Sequence, residues 1–149
     1  MSTTTKPKSE TLTMRRRFKA PRERVFQAFT DLDVLRQWWG PEGMDLPEAS
    51  LDLKVGGAYD FHMRNSEGGI HRVRGVYRDI SEPEKLVFTW QWVRDEPTAE
   101  MLITLNFHDH GNETELEMLQ EKMPDAESVA AHEKGWTSSF NCLERFLAS

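Results

Sequence analysis

The 149-residue sequence predicts an α+β fold: a seven-stranded curved antiparallel sheet wrapped around one long C-terminal helix, with two short helices between strands 1 and 2. Three observations predict it. From residue 46 onward apolar and polar residues alternate in runs separated by turn-forming clusters, which is the period of half-buried strands. After Pro124-Asp125 the apolar residues recur every three or four positions to the end of the chain, which is the period of a helix. Between residues 20 and 41 there are two helix-start signals and one stop.

Leu12, Met14 and Phe18 recur at even spacing and predict the first strand, with Arg16 interrupting its apolar face. Residues 1–9 read as a loose tail, and residues 10–149 as one domain. Ala20-Pro21 starts a short helix whose apolar side is Val25, Phe26 and Phe29. Thr30 and Asp33 have the spacing of a capping box, so a second helix is expected from there to Gly40-Pro41, carrying Leu32, Leu35 and Trp38 inward. Leu51, Leu53 and Val55 alternate as a strand that ends at Gly56-Gly57. Five further strands are expected near 58–64, 70–80, 85–93, 99–108 and 113–121, joined by short loops and so antiparallel. Val129, Trp136, Phe140, Leu143 and Leu147 form the stripe of the final helix.

A sheet with one apolar face must cover it, since each Å² returned to water costs about 25 cal/mol. Only the last helix is long enough, and a curved sheet around a single rod leaves space between them. Alternation turns Tyr59, Phe61 and Met63, then Phe88, Trp90 and Trp92, then Ile103, Leu105 and Phe107, and finally Leu116 and Met118 toward that space. So many aromatic and methionine side chains suit either a core or a ligand pocket. If Val73 and Tyr77 face inward with Gly75, so does His71. On the helix His132, Trp136 and Phe140 are four apart, with Gly135 beside them and read as a point of close approach. Trp38 and Trp39 are adjacent and must point differently, so one of them, Trp39 above all, is a candidate for the cavity mouth or an interface.

A formal net charge of −6 argues against binding nucleic acid through its phosphates. No apolar stretch is long enough to cross a bilayer or to act as a secretory signal. The single cysteine, Cys142, reads as a small buried hydrophobe, and a cytoplasmic location is expected. His108 and His110 have the spacing of two zinc ligands but lack a third, and they read as part of a solvated turn; no metal and no cofactor is expected. Glu113, Glu115 and Glu117 fall on the strand face opposite Leu116 and Met118 and read as solvent-facing rather than catalytic. The sequence contains no nucleophile elbow, phosphate loop or reactive-cysteine setting.

The segments Pro21 to Phe29, Trp38-Trp39-Gly40-Pro41, Val55-Gly56-Gly57, Gly75 to Ile80, Pro83 to Trp90 and His132-x-x-Gly135-Trp136 occur in this order. The series resembles the bacterial homologues of the activator of the ninety-kilodalton heat-shock protein's ATPase, within the START-like (SRPBCC) superfamily. The resemblance implies the helix-grip fold, a hydrophobic cavity under the long helix and, for most bacterial members, no established enzymatic activity; lipid binding and stress response are expectations associated with it. It supplies no catalytic set. Three readings of function follow: a binding protein for a small hydrophobic molecule, a cyclase- or dehydratase-like enzyme using His71, Tyr77 or His132 as acid or base, and a protein-interaction module with Trp38-Trp39 exposed. A second copy of the chain is a further candidate partner.

Overall fold

The computed structural model describes residues 10–149, so the tail expected over residues 1–9 lies outside the described residues. Strand β1 (Glu10–Phe18) leads into helices α1 (Arg22–Thr30) and α2 (Leu32–Leu35). Strands β2 (Asp45–Leu51), β3 (Ala58–Arg64), β4 (Ile70–Ser81), β5 (Lys85–Val93), β6 (Met101–His110) and β7 (Glu113–Met123) follow, and α3 (Ala126–Ala148) closes the chain. The sheet runs β1-β7-β6-β5-β4-β3-β2, and every neighbouring pair is antiparallel. The expected architecture is therefore present, with β1 and β2 at opposite edges.

Two boundaries differ from expectation, each for a local reason. Thr30 does not cap α2: its hydroxyl donates to the Phe26 carbonyl at 3.0 Å and finishes α1, while the Asp31 carboxylate accepts from the Asp33 amide at 3.1 Å. Only one short helix follows, and hydrogen-bonded turns bring Trp38 and Trp39 inward instead. β2 ends at Leu51, because Asp52 to Gly57 form a tight turn in which the amides of Lys54 and Gly57 donate to the carbonyls of Asp52 and Lys54. Leu53 and Val55 are consequently 39% and 64% exposed. A Cβ at Gly57 would stand 2.1 Å from the Asp52 carbonyl oxygen, so the turn admits no side chain there.

The Asp125 side chain accepts from the Ser128 amide at 2.8 Å and caps α3, whose buried face is Trp136, Ser139, Phe140, Leu143 and Leu147. Phe140 meets Phe18 edge-on at 6.0 Å, and Phe26 meets Phe107 at 5.2 Å, joining helices and sheet in one core. Arg16, the odd residue on the apolar face of β1, donates to Asn141 at 2.8 Å and pairs with Glu144, both on α3, and so ties the helix to the sheet edge. On the other face Arg15 and Arg17 pair with Glu117 (2.8 Å) and Glu113 (3.3 Å) across the β1–β7 ladder. Cys142 is only half-buried, packed against the core with the Arg145 guanidinium 3.6 Å from its sulfur.

In the middle of β4 the ladder to β5 is interrupted. A Cβ at Gly75 would lie 2.0 Å from the Thr89 carbonyl oxygen and 2.6 Å from the Tyr59 ring. That carbonyl accepts the Tyr59 hydroxyl at 2.5 Å, and the Thr89 hydroxyl accepts the Val76 amide at 2.8 Å. Side chains thus supply the pairing that the backbone gives up.

Candidate functional site

A cavity of about 180 Å³ opens between the sheet and the middle of α3, lined by Trp39, Gly40, Pro41, Met63, Trp90, Trp92, Arg94, Ala131, His132, Gly135, Trp136 and Ser139. The turn after α2 supplies Trp39 to Pro41, β3 supplies Met63, and β5 and the residue after it supply Trp90, Trp92 and Arg94. The rest come from one side of α3. Trp39, Trp90 and Trp136 form a triangle of rings with centroids 6.1, 5.8 and 5.2 Å apart, and Trp92 meets Trp90 edge-on at 5.5 Å. These separations are those at which aromatic rings attract one another. The result is a rigid wall with little rotamer freedom.

The polar groups of this wall are arranged in a definite way. Trp92 Nε1 donates to His132 Nε2 at 3.0 Å, and His132 Nδ1 lies 2.8 Å from the Ser128 carbonyl, to which it donates. Both ring nitrogens are thereby engaged and one tautomer is selected. Burial lowers the His132 pKa below its ordinary value, opposed by the Ser128 hydrogen bond and assisted by the Arg94 charge, so the neutral ring is favoured. Trp136 Nε1 donates to Gln120 Oε1 at 2.9 Å, and Gln120 Nε2 donates to the Met101 sulfur at 3.2 Å. Arg94 stands at the exposed rim with its guanidinium 5.5 Å from the Trp92 ring centroid. It forms no ion pair among the described residues. A second depression of about 450 Å³ adjoins the cavity, sharing Trp92, Arg94, Ala131 and His132, with Glu96, Asp125 and Glu127 on its far side.

Among the residues expected to meet a ligand, Trp39, Met63, Trp90, His132 and Trp136 are brought together at this cavity. Tyr59, Phe61, Tyr77 and Phe88 lie deeper, around a gap of only about 10 Å³ behind Trp39. Burial raises the pKa of both phenols, so they stay neutral. Val73, Ile103, Leu105, Leu116, Met118 and Phe140 belong to the solid core and line neither space. His71 is not in the interior: it pairs with Met63 in register, but α3 packs on β1 and β7 and leaves this end of β4 uncovered. The ring is exposed, 3.3 Å from the Asn65 amide in the β3–β4 hairpin. Gly135 is not a point of close approach either, since a Cβ there would meet nothing within 4 Å; its missing side chain is open space at the cavity edge.

Trp38 and Trp39 are both buried, Trp38 donating to the Ala28 carbonyl at 2.9 Å. The exposed tryptophan patch expected of a protein-interaction module is absent. His108 and Glu117 are 2.9 Å apart on the outer face, and β6 continues through His110, leaving a two-residue turn at Gly111-Asn112. Among the described residues no three His, Cys, Asp or Glu side chains are grouped to hold a metal ion. No helix there is long and apolar enough to cross a membrane. Sequence reasoning missed Arg94, Ser139 and Gln120; Gln120 was recoverable, since it continues the inward alternation of Leu116 and Met118.

Comparison with known proteins agrees with this architecture. No curated protein matches the chain significantly. Among solved structures, a Chromobacterium violaceum protein is 28% identical with a TM-score of 0.86, the match covering 93% of this chain and 97% of that one. The AHSA1 protein of Silicibacter pomeroyi is 32% identical with a TM-score of 0.84, covering 93% and 98%. A Rhizobium leguminosarum protein at 23% identity and a TM-score of 0.82, covering 95% of each chain, shares the fold. The family model described as Activator of Hsp90 ATPase homolog 1-like protein matches residues 19–148, and the chain belongs to that family.

Proposed function

We propose that the protein binds a small hydrophobic molecule in the cavity between the sheet and α3. The observation that carries this reading is the cavity itself: about 180 Å³ walled by Trp39, Trp90, Trp92, Trp136 and Met63. A space of about 150 Å³ with apolar walls is enough for a benzene ring. A protein that needed only a stable core would gain by filling it, since each missing contact costs dispersion and transfer energy. The acid–base alternative has less support. His71 lies outside, Tyr77 sits behind Trp39, and both nitrogens of His132 are already hydrogen-bonded.

The test is native mass spectrometry of gently purified protein, together with titration of N-phenyl-1-naphthylamine, an uncharged fluorophore that brightens in apolar surroundings. Saturable binding of one probe per chain, competed by any retained ligand, is the expected result. A bare mass together with no saturable fluorescence would remove the proposal.

A further inference from the structure

The polar inventory of the cavity defines the chemistry of its occupant more closely. Each of the five tryptophans carries one indole N–H, which is a donor only. Three have acceptors: Trp38 in the Ala28 carbonyl, Trp92 in His132 and Trp136 in Gln120. The other two, Trp39 Nε1 and Trp90 Nε1, are buried with no partner among the described residues. These residues are only 5% and 3% exposed, so bulk water does not supply what is missing. Buried donors are nearly always satisfied in native proteins, and an orphan asks for an explanation. Both orphans belong to rings that wall the same cavity.

Charge points the same way. Arg94 is the one formally charged side chain among the lining residues and has no carboxylate partner among the described residues. A guanidinium held over an indole ring, with no acceptor of its own among the described residues, is able to receive a carboxylate. The acids Glu96, Asp125 and Glu127 border the adjoining depression, which Arg94 also lines, and none of them lines the cavity. The tryptophan triangle offers ring faces and edges to a flat apolar body.

Building on the reading that this cavity holds a ligand, we propose that its occupant is a small aromatic carboxylate. Its ring lies against Trp39, Trp90 and Trp136, its carboxylate meets Arg94, and the unpaired Trp39 and Trp90 N–H groups are the donors left for its acceptor oxygens.

The experiment uses benzoate and its uncharged isostere nitrobenzene, titrated into the full chain and followed through the five indole N–H signals in nitrogen–proton correlation spectra. Benzoate is expected to bind at least about tenfold more tightly, the usual worth of a charge-assisted hydrogen bond. It should move the Trp39 and Trp90 signals downfield while that of Trp38 stays in place. Arg94→Gln, at an exposed rim position, should erase the advantage of benzoate, leave nitrobenzene binding unchanged and preserve the melting curve. Equal affinities for the two compounds, or benzoate binding indifferent to Arg94→Gln, would overturn the carboxylate while leaving the cavity as an apolar site. Failure of both compounds where N-phenyl-1-naphthylamine still binds would also overturn it. Failure of all three would remove the proposed function as well.

Discussion

Gly135 lies well inside α3, where glycine is normally unfavourable, and it borders the cavity. In a helix interior glycine is about 1 kcal/mol worse than alanine, because it leaves more backbone freedom to lose. A Cβ at this position would meet nothing within 4 Å, so no steric penalty offsets that gain. Gly135→Ala is therefore expected to stabilise the protein by about 0.5–1 kcal/mol, raising Tm by roughly 1–4 °C for a chain of this size. Urea denaturation should show a higher midpoint with an unchanged slope. Gly135→Leu keeps the helix propensity but extends a branched side chain into a space of about 180 Å³. It should cut N-phenyl-1-naphthylamine affinity by at least about tenfold, the equivalent of roughly 1.4 kcal/mol, while leaving the protein folded. A destabilised alanine variant would show that the backbone there is strained or crowded. A leucine variant that binds as the original does would show that the probe sits elsewhere.

Three other changes test the framework around the site. Gly75→Ala places a methyl group where the Thr89 carbonyl stands at 2.0 Å; a loss of about 3 kcal/mol or more in urea denaturation is expected, and a loss under about 1 would show that β4 and β5 part easily. Gln120→Leu removes the acceptor of the Trp136 indole, which should cost about 1–3 kcal/mol and be partly recovered in the double variant with Trp136→Phe; strict additivity would deny the coupling. Since the His132 pKa is lowered in the native protein, the unfolded chain takes up the proton first as pH falls. The contribution of His132 is then complete above its ordinary value of 6.5 and declines below it until the native ring also protonates. His132→Gln should remove this part of the pH dependence in the range below the ordinary histidine value, measured by Tm, and identical profiles for the two proteins would refute the assignment.

The fold was legible because its signals are periodic and redundant. A misplaced residue in β5 does not disturb the alternation of Phe88, Trp90 and Trp92, and the stripe from Trp136 to Leu147 admits one reading. What failed was local. Leu53 and Val55 keep the alternation of β2 in a segment that the tight turn to Gly57 has already bent away. His71 has the parity of Val73 but sits where no element covers the sheet. Thr30 and Asp31 both qualify as helix caps, and only the neighbouring Phe26 carbonyl decides between them. The cavity was harder to read than the fold, since parity says which way a side chain points and nothing about depth. Trp90 and Ile103 look alike in the sequence, yet one faces the opening and the other is solid core. Arg94 lies past the end of β5, where periodicity gives no guidance.

Trp39 stands between two spaces, the outer cavity of about 180 Å³ and the gap of about 10 Å³ bounded by Tyr59, Phe61, Tyr77 and Phe88. A single indole thus acts as a partition across what would otherwise be one long chamber. The room is shallow for that reason: a compact ring fits in front of the partition, whereas an extended acyl chain would have to displace it. On the proposed binding reading, a guest held in front of the partition would stay close to the opening. Exchanging that one side chain for a smaller one would join the two spaces and lengthen the chamber with no change in topology.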